Sequence, residues 1–142
     1  NYHPELVINY QKENLKEIIE KEYGKRPIDI FYDQVGGDPY NDGIRLLGSE
    51  GKALIVGFAS GNIPSQLLSY LLVKNISIMG VFMIDFEFNR SEYLKERMKL
   101  IFDLYKEGKI DPLYEVVRFD QILDYLELMG SRKTVGRIVA IK

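Results

Sequence analysis

Three runs in this chain are apolar almost without interruption: IDIFYDQV at 28–35, KALIVGF at 52–58 and ISIMGVFMI at 76–84. A strand with one face in water alternates apolar and polar residues. Runs this continuous call for burial on both faces, as in a parallel sheet covered by helices. The segments between them fit that demand. QKENLKEIIEKEYGK sets Leu15, Ile18, Ile19 and Tyr23 at helical spacing, with Gly24 as a stop and Pro27 as a boundary. DPYNDGIRLLGSEG (38–51) carries Tyr40, Ile44 and Leu47 at the same spacing and closes on Gly48 and Gly51. After the loop ASGNIPSQ, LLSYLLVKN (67–75) reads as a short apolar helix.

Further along, Ser91 is the expected cap of a helix whose stripe is Tyr93, Leu94, Met98, Ile101, Phe102 and Tyr105, ended by Gly108. FDQILDYLELMGSRK is a last amphipathic helix and VGRIVAIK a terminal strand, while LVINY (6–10) reads as a short first strand. Strands alternating with helices select an α/β fold with a mostly parallel sheet.

Composition narrows the chemistry. The 142 residues suit one domain, and 46% hydrophobic with 28% charged residues is a globular profile. A net charge of −2 argues against a broad grip on nucleic acid or an anionic membrane. There is no cysteine, and the single histidine, His3, stands beside Pro4. That excludes a disulfide framework and a thiolate zinc site, and argues against a histidine-based metal centre or serine triad. No apolar run is long enough to span a membrane and no signal-peptide pattern opens the chain, so a cytoplasmic location is the expectation. The opening NYHPELVINY lacks an initiator methionine and runs at once into apolar residues, which suggests a piece of a longer polypeptide. Ten tyrosines and seven phenylalanines fall on apolar stripes, a pattern of core packing rather than of base stacking.

Two of the three strong strands run into glycine at their carboxyl ends, at Gly36–Gly37 and at Gly57 with Gly61. Glycine either makes a tight βα turn or lets a ligand approach the backbone closely. In open parallel sheets, ligands bind outside the carboxyl ends of the strands. Two such loops on adjacent strands favour the ligand reading. Asp29 and Asp33 look like a carboxylate pair, but a spacing of four along a strand sets them roughly 13 Å apart, too far to share a proton.

The segments VINY, IDIFYDQVGG, GKALIVGFASG, LLVKNISIMGVF, LYKEGKI and SRKTVGRIVAIK, in this order and spacing, resemble the quinone oxidoreductases of the medium-chain dehydrogenase/reductase superfamily, in their zinc-free, ζ-crystallin-like branch. The resemblance covers essentially the whole chain. It implies the C-terminal part of a Rossmann dinucleotide-binding domain: strands 3 to 6 within 1–84, then C-terminal helices and a return strand within 85–142, making a partial nucleotide-binding domain over 1–142. The glycine-rich turn of the first βαβ unit does not occur in the sequence, so that unit is expected to be missing. With the family strand order 3-2-1-4-5-6, LVINY would be left two strands away from IDIFYD, and the terminal strand would lose its family place. Unusual pairings are therefore expected.

The resemblance further implies NADPH as cofactor and hydride transfer to a quinone or an α,β-unsaturated carbonyl, with the segment alone inactive. A non-catalytic, crystallin-like or interaction role on the same fold is the alternative. Tyr10 and Arg132 correspond to the residues that hold the NADPH 2′-phosphate; Tyr10 could otherwise be a packed strand-end aromatic, and Arg132 a cation at a helix end. The loops after the fourth and fifth family strands nominate Val35, Gly36, Phe58, Ala59, Ser60 and Gly61 for the nicotinamide side, with a core role as the alternative for Phe58. No metal ligand is implied. A homodimer through the strand at 76–84 is expected, with a small quinone or enone as substrate and no membrane or nucleic-acid partner.

Overall fold

The computed structural model describes residues 3–131 and 133–142. Its described residues divide into two compact units, 3–89 and 90–142. In the first, α1 (Leu15–Tyr23), β1 (Ile28–Asp33), α2 (Gly37–Leu46), β2 (Leu47–Ile55), α3 (Leu68–Lys74), β3 (Ser77–Gly80) and α4 (Met83–Asn89) follow one another. The second holds α5 (Ser91–Lys106), β4 (Tyr114–Arg118), a 3₁₀ turn at Phe119–Gln121, α6 (Ile122–Gly130) and β5 (Arg137–Ile141).

Strands β1, β2 and β3 form a parallel sheet in that order. Phe31, Ala53 and Ile78 lie side by side across it, as do Tyr32, Leu54 and Met79. Helices cover the first of these faces. Tyr40 and Ile44 of α2 pack with Leu47, Ala53 and Ile76, and Phe31, Tyr70, Leu71 and Ile78 close around them. The ring of Phe31 rests where α2 passes a glycine: a methyl group on Gly43 would stand 2.4 Å from Phe31 Cζ. The α1 helix starts as its sequence dictates, with the Asn14 side chain accepting the Glu17 amide at 3.1 Å. Its C-cap glycine, Gly24, has φ 86°.

Several expectations change. Burial on both faces does not hold among the described residues: Ile30, Tyr32 and Met79, on the other face, are 63%, 60% and 54% exposed. The physical reason is that α2 and α3 serve the same side, and no element described in this unit covers the opposite one. Leu6–Tyr10 forms no strand, because no strand lies beside it to share a ladder; Leu6 and Ile8 instead line an apolar groove with Leu15, Ile19, Tyr23, Pro27 and Ile28. The run 76–84 is a strand only over Ser77–Gly80, and Met83 already belongs to α4. The ladder of β2 ends at Ile55, while its start reaches back to Leu47 across an irregular register. Ser91 is the first helical residue of α5, not its cap: Arg90 holds the cap position, without a side-chain capping hydrogen bond.

In the second unit the terminal strand finds a partner that the sequence reading passed over. Strand β5 pairs parallel with β4, Val116 beside Val139 and Val117 beside Ala140. Val117 is the one buried hydrophobic residue among those described there. The α5 stripe taken for core lies open at Tyr93, Met98, Ile101, Phe102 and Tyr105. These residues are apolar, yet each stays 41–56% exposed. The Arg97 guanidinium stands 4.7 Å from the centre of the Tyr93 ring.

The Phe31–Gly43 contact yields a sign test. In an exposed helix interior, Gly→Ala stabilises by about 1 kcal/mol. Here Gly43→Ala is expected to destabilise by about 1–3 kcal/mol, because the methyl group must displace a packed ring. Urea denaturation of the two proteins measures the sign.

Candidate functional site at the carboxyl ends of β1 and β2

Strand β1 ends in a buried acid, 3% exposed. The Asp33 carboxylate accepts the Val35 amide at 2.9 Å and the Gly36 amide at 3.0 Å, so its charge faces two fixed N–H dipoles. An acid at the end of a strand, satisfied by its own downstream amides, turns the chain sharply. Gly36 and Gly37 complete the turn with φ of 71° and 60°, in the left-handed region that favours glycine. The start of α2 follows directly. Tyr40, one turn into α2, has its phenol pKa raised, first by burial and then by the negative charge of Asp33.

The loop after β2 is laced to this turn. Ala59 N–H donates to the Gln34 carbonyl at 3.0 Å, Ser60 N–H to Val35 at 2.9 Å, and Gly37 N–H back to Asn62 at 3.1 Å. Ser60 Oγ accepts the Asn62 amide at 3.1 Å, which curls the second loop onto the first. A methyl group at Gly36 would meet the Asn62 carbonyl at 2.6 Å and Phe58 Cδ1 at 3.1 Å. The Phe58 ring therefore packs over a backbone that only glycine allows, while the residue stays 40% exposed.

Val35, Gly36, Phe58, Ala59, Ser60 and Gly61 thus stand on one rim. Tyr10 is not joined to them by a hydrogen bond; it sits half-exposed in the turn before α1. Arg132 lies outside the described residues. The sequence reading missed two contributors. Asp33 was weighed only as half of a catalytic pair, although its place just ahead of Gln-Val-Gly-Gly is the signature of a side chain that caps its own turn. The Asn62 carbonyl had no readable signal, since a backbone acceptor leaves none. Most amides of the two loops are used internally; those of Gly57 and Phe58 have no protein acceptor among the described residues.

Comparison with known proteins agrees with this architecture. Residues 5–103 match the family described as zinc-binding dehydrogenase. The chain belongs to that family, in the quinone oxidoreductase branch of the medium-chain dehydrogenase/reductase superfamily. It is 30% identical over 133 residues to quinone oxidoreductase-like protein 2 of Bos taurus, covering 93% of this chain and 38% of the relative. It is 23% identical over 146 residues to prostaglandin reductase-3 of Mus musculus, again covering 93% and 38%. The structure of Escherichia coli quinone oxidoreductase complexed with NADPH superposes with a TM-score of 0.82 at 24% identity, over 96% of this chain and 43% of that one. The chain therefore spans well under half the length of the relatives it matches.

The family's description names a metal that these residues do not fit. With no cysteine and a single histidine in these 142 residues, they offer no thiolate ligand and at most one imidazole. Among the described residues no three His, Cys, Asp or Glu converge on a point that could hold an ion.

The rim generates a prediction at its base. Asp33→Ala leaves the Val35 and Gly36 amides without their acceptor and is expected to cost about 2–4 kcal/mol. Asp33→Asn keeps one oxygen in place and is expected to cost about half of that or less. Chemical denaturation of both variants checks the order; equal losses would mean that the charge, not the acceptor, holds the turn.

Proposed function

We propose that this chain contributes the nicotinamide side of an NADPH-dependent oxidoreductase that transfers hydride to a quinone or an α,β-unsaturated carbonyl. The observation that carries the reading is the laced rim: two glycine-broken ends of adjacent parallel strands, at the place where open α/β sheets take ligands, in a chain of this dehydrogenase family. The likeness to a quinone oxidoreductase complexed with NADPH supports it. When bound, the dihydronicotinamide supplies the hydride. The Gly57 and Phe58 amides offer donors for its carboxamide, and the exposed side of Phe58 provides an apolar wall.

In this reading Val35, Gly36, Ala59, Ser60 and Gly61 form the floor, and Tyr10 with Arg132 holds the 2′-phosphate. No zinc takes part. The two polypeptides of a homodimer meet at the outer edge of β3, which pairs only with β2 among the described strands. No helix among the described residues is long and apolar enough to cross a membrane, which suits a cytoplasmic enzyme. The 142 residues alone are expected to lack reductase activity and to bind NADPH weakly, because they carry no glycine-rich pyrophosphate turn.

The test uses the full-length polypeptide that contains this chain. NADPH oxidation with a benzoquinone or an enone is measured for the parent and for Arg132→Ala. Charge-assisted hydrogen bonds to phosphate contribute roughly 1.5–3 kcal/mol, so KM for NADPH should rise about ten- to a hundredfold. KM for NADH, which lacks the 2′-phosphate, should hardly change. Equal losses for both would assign Arg132 to the fold, and no oxidation of either cofactor by the parent would sink the reductase reading.

A further inference from the structure

At the opposite end of the strands, roughly 20 Å from the rim, cations gather around a concavity. Lys16 of α1, Lys25 and Arg26 in the turn before β1, Arg45 of α2 and Lys74 of α3 line a space of about 600 Å³ together with Glu20 and Tyr70. Five cations thus face one carboxylate, in a chain whose overall charge is −2. Among the described residues none of the five forms an ion pair; the pairs present fall between Glu92 and Asp120.

Helix ends explain only part of this. Arg45 and Lys74 stand in the last turns of α2 and α3, where a cation meets the negative end of the helix dipole. Lys16 stands in the first turn of α1, the unfavourable end, and Lys25 and Arg26 lie outside helices. Arg26 is also held in an uncommon conformation, with φ 53° in the left-handed region. Its Nε donates to the Leu47 carbonyl at 2.7 Å and its Nη2 to the Lys74 carbonyl at 2.8 Å. Two backbone acceptors fix the guanidinium without neutralising it, and Nη1 makes no bond to protein among the described residues. Like charges crowded into a recess repel one another unless a ligand of opposite charge enters.

We propose that this recess binds a small molecule carrying adjacent phosphate groups, through Arg26 as the preset fork and Lys16, Lys25, Arg45 and Lys74 as flanking charges. An open concavity of about 600 Å³ suits a compact ligand; a nucleic-acid strand needs an extended basic groove. Arginine matches the geometry of phosphate oxygens and lysines add point charges. The site lies at the other end of the sheet from the rim and does not depend on the cofactor reading.

Titration calorimetry of the full chain with tripolyphosphate, at low ionic strength, tests it. Saturable one-to-one binding is expected, weakening steeply as salt rises. The double variant Lys25→Gln/Arg45→Gln should weaken it at least tenfold. Neither side chain makes a hydrogen bond or ion pair among the described residues, so beyond the small dipole contribution of Arg45 the fold should be unaffected. Lys25→Glu, a single change at an exposed turn position, repeats the test independently. A nucleoside triphosphate in place of tripolyphosphate separates the sources: tighter binding points to a nucleotide, equal binding to the phosphates alone. No saturable heat with either probe, or variants that bind as well as the parent, would overturn the proposal.

Discussion

The ring of Phe31 lies against α2 at Gly43, where the helix offers no side chain, and much of the first unit follows from that contact. Seated there, the ring meets Tyr40 with centroids 6.3 Å apart at a tilted angle, so two aromatic side chains lock the helix to β1. This fixes where α2 begins relative to the end of the strand. Tyr40 in turn stands close enough to Asp33 to feel its charge. The acid therefore has apolar packing beneath it and two amides above it. Geometry at the rim is tied to packing two residues back along β1.

The same packing is one-sided. Residues on the covered face of β1–β3 are small or interlocking: Phe31, Ala53 and Ile78 in one row. On the other face, Ile30, Tyr32 and Met79 are equally apolar yet open. An apolar strand face that meets water contributes little to stability, because burial and not apolar character provides the driving force. Hydrophobic burial within 3–89 lies on the helix-covered face, and within 90–142 around Val117. Local opening is expected to be easier where fewer apolar residues are buried.

How far the sequence could be read depended on how local each signal was. The strands at 28–33 and 52–55 and the helices at 15–23 and 68–74 were legible, because apolar spacing and a glycine or proline stop are written within a few residues. Strand β4 was not, since YEVVR is short and carries two charges, and its parallel pairing with β5 joins residues more than 20 positions apart. The extent of 76–84 was overread for a related reason. A run of apolar residues does not say where a strand yields to a helix, and Met83–Asn89 took the helix. At the rim, the glycines announced a turn, but the lacing between Gln34–Gly37 and Ala59–Asn62 is carried by backbone atoms, which every residue possesses and no sequence pattern reveals.

That lacing also limits what the rim can offer a ligand. A loop whose amides point inward to carbonyls cannot use the same amides to hold a bound group. Val35 and Gly36 donate to Asp33, Gly37 to Asn62, Ala59 to Gln34, Ser60 to Val35 and Gly61 to Phe58. In the proposed reading these residues act through shape: they form the floor and keep Phe58 over Gly36. Gly57 and Phe58, whose amides have no acceptor among the described residues, sit where β2 leaves its ladder, just after Val56 donates to Asp33 at 2.7 Å. A rigid floor with two adjacent unspent amides suits a planar group carrying a carbonyl, and rigidity lets such a group bind without the cost of ordering the loop. Positioning by backbone rather than by side chain also accounts for the mix of residue types among the nominated positions, where Val35, Ala59 and Gly61 have no polar side-chain atom to offer.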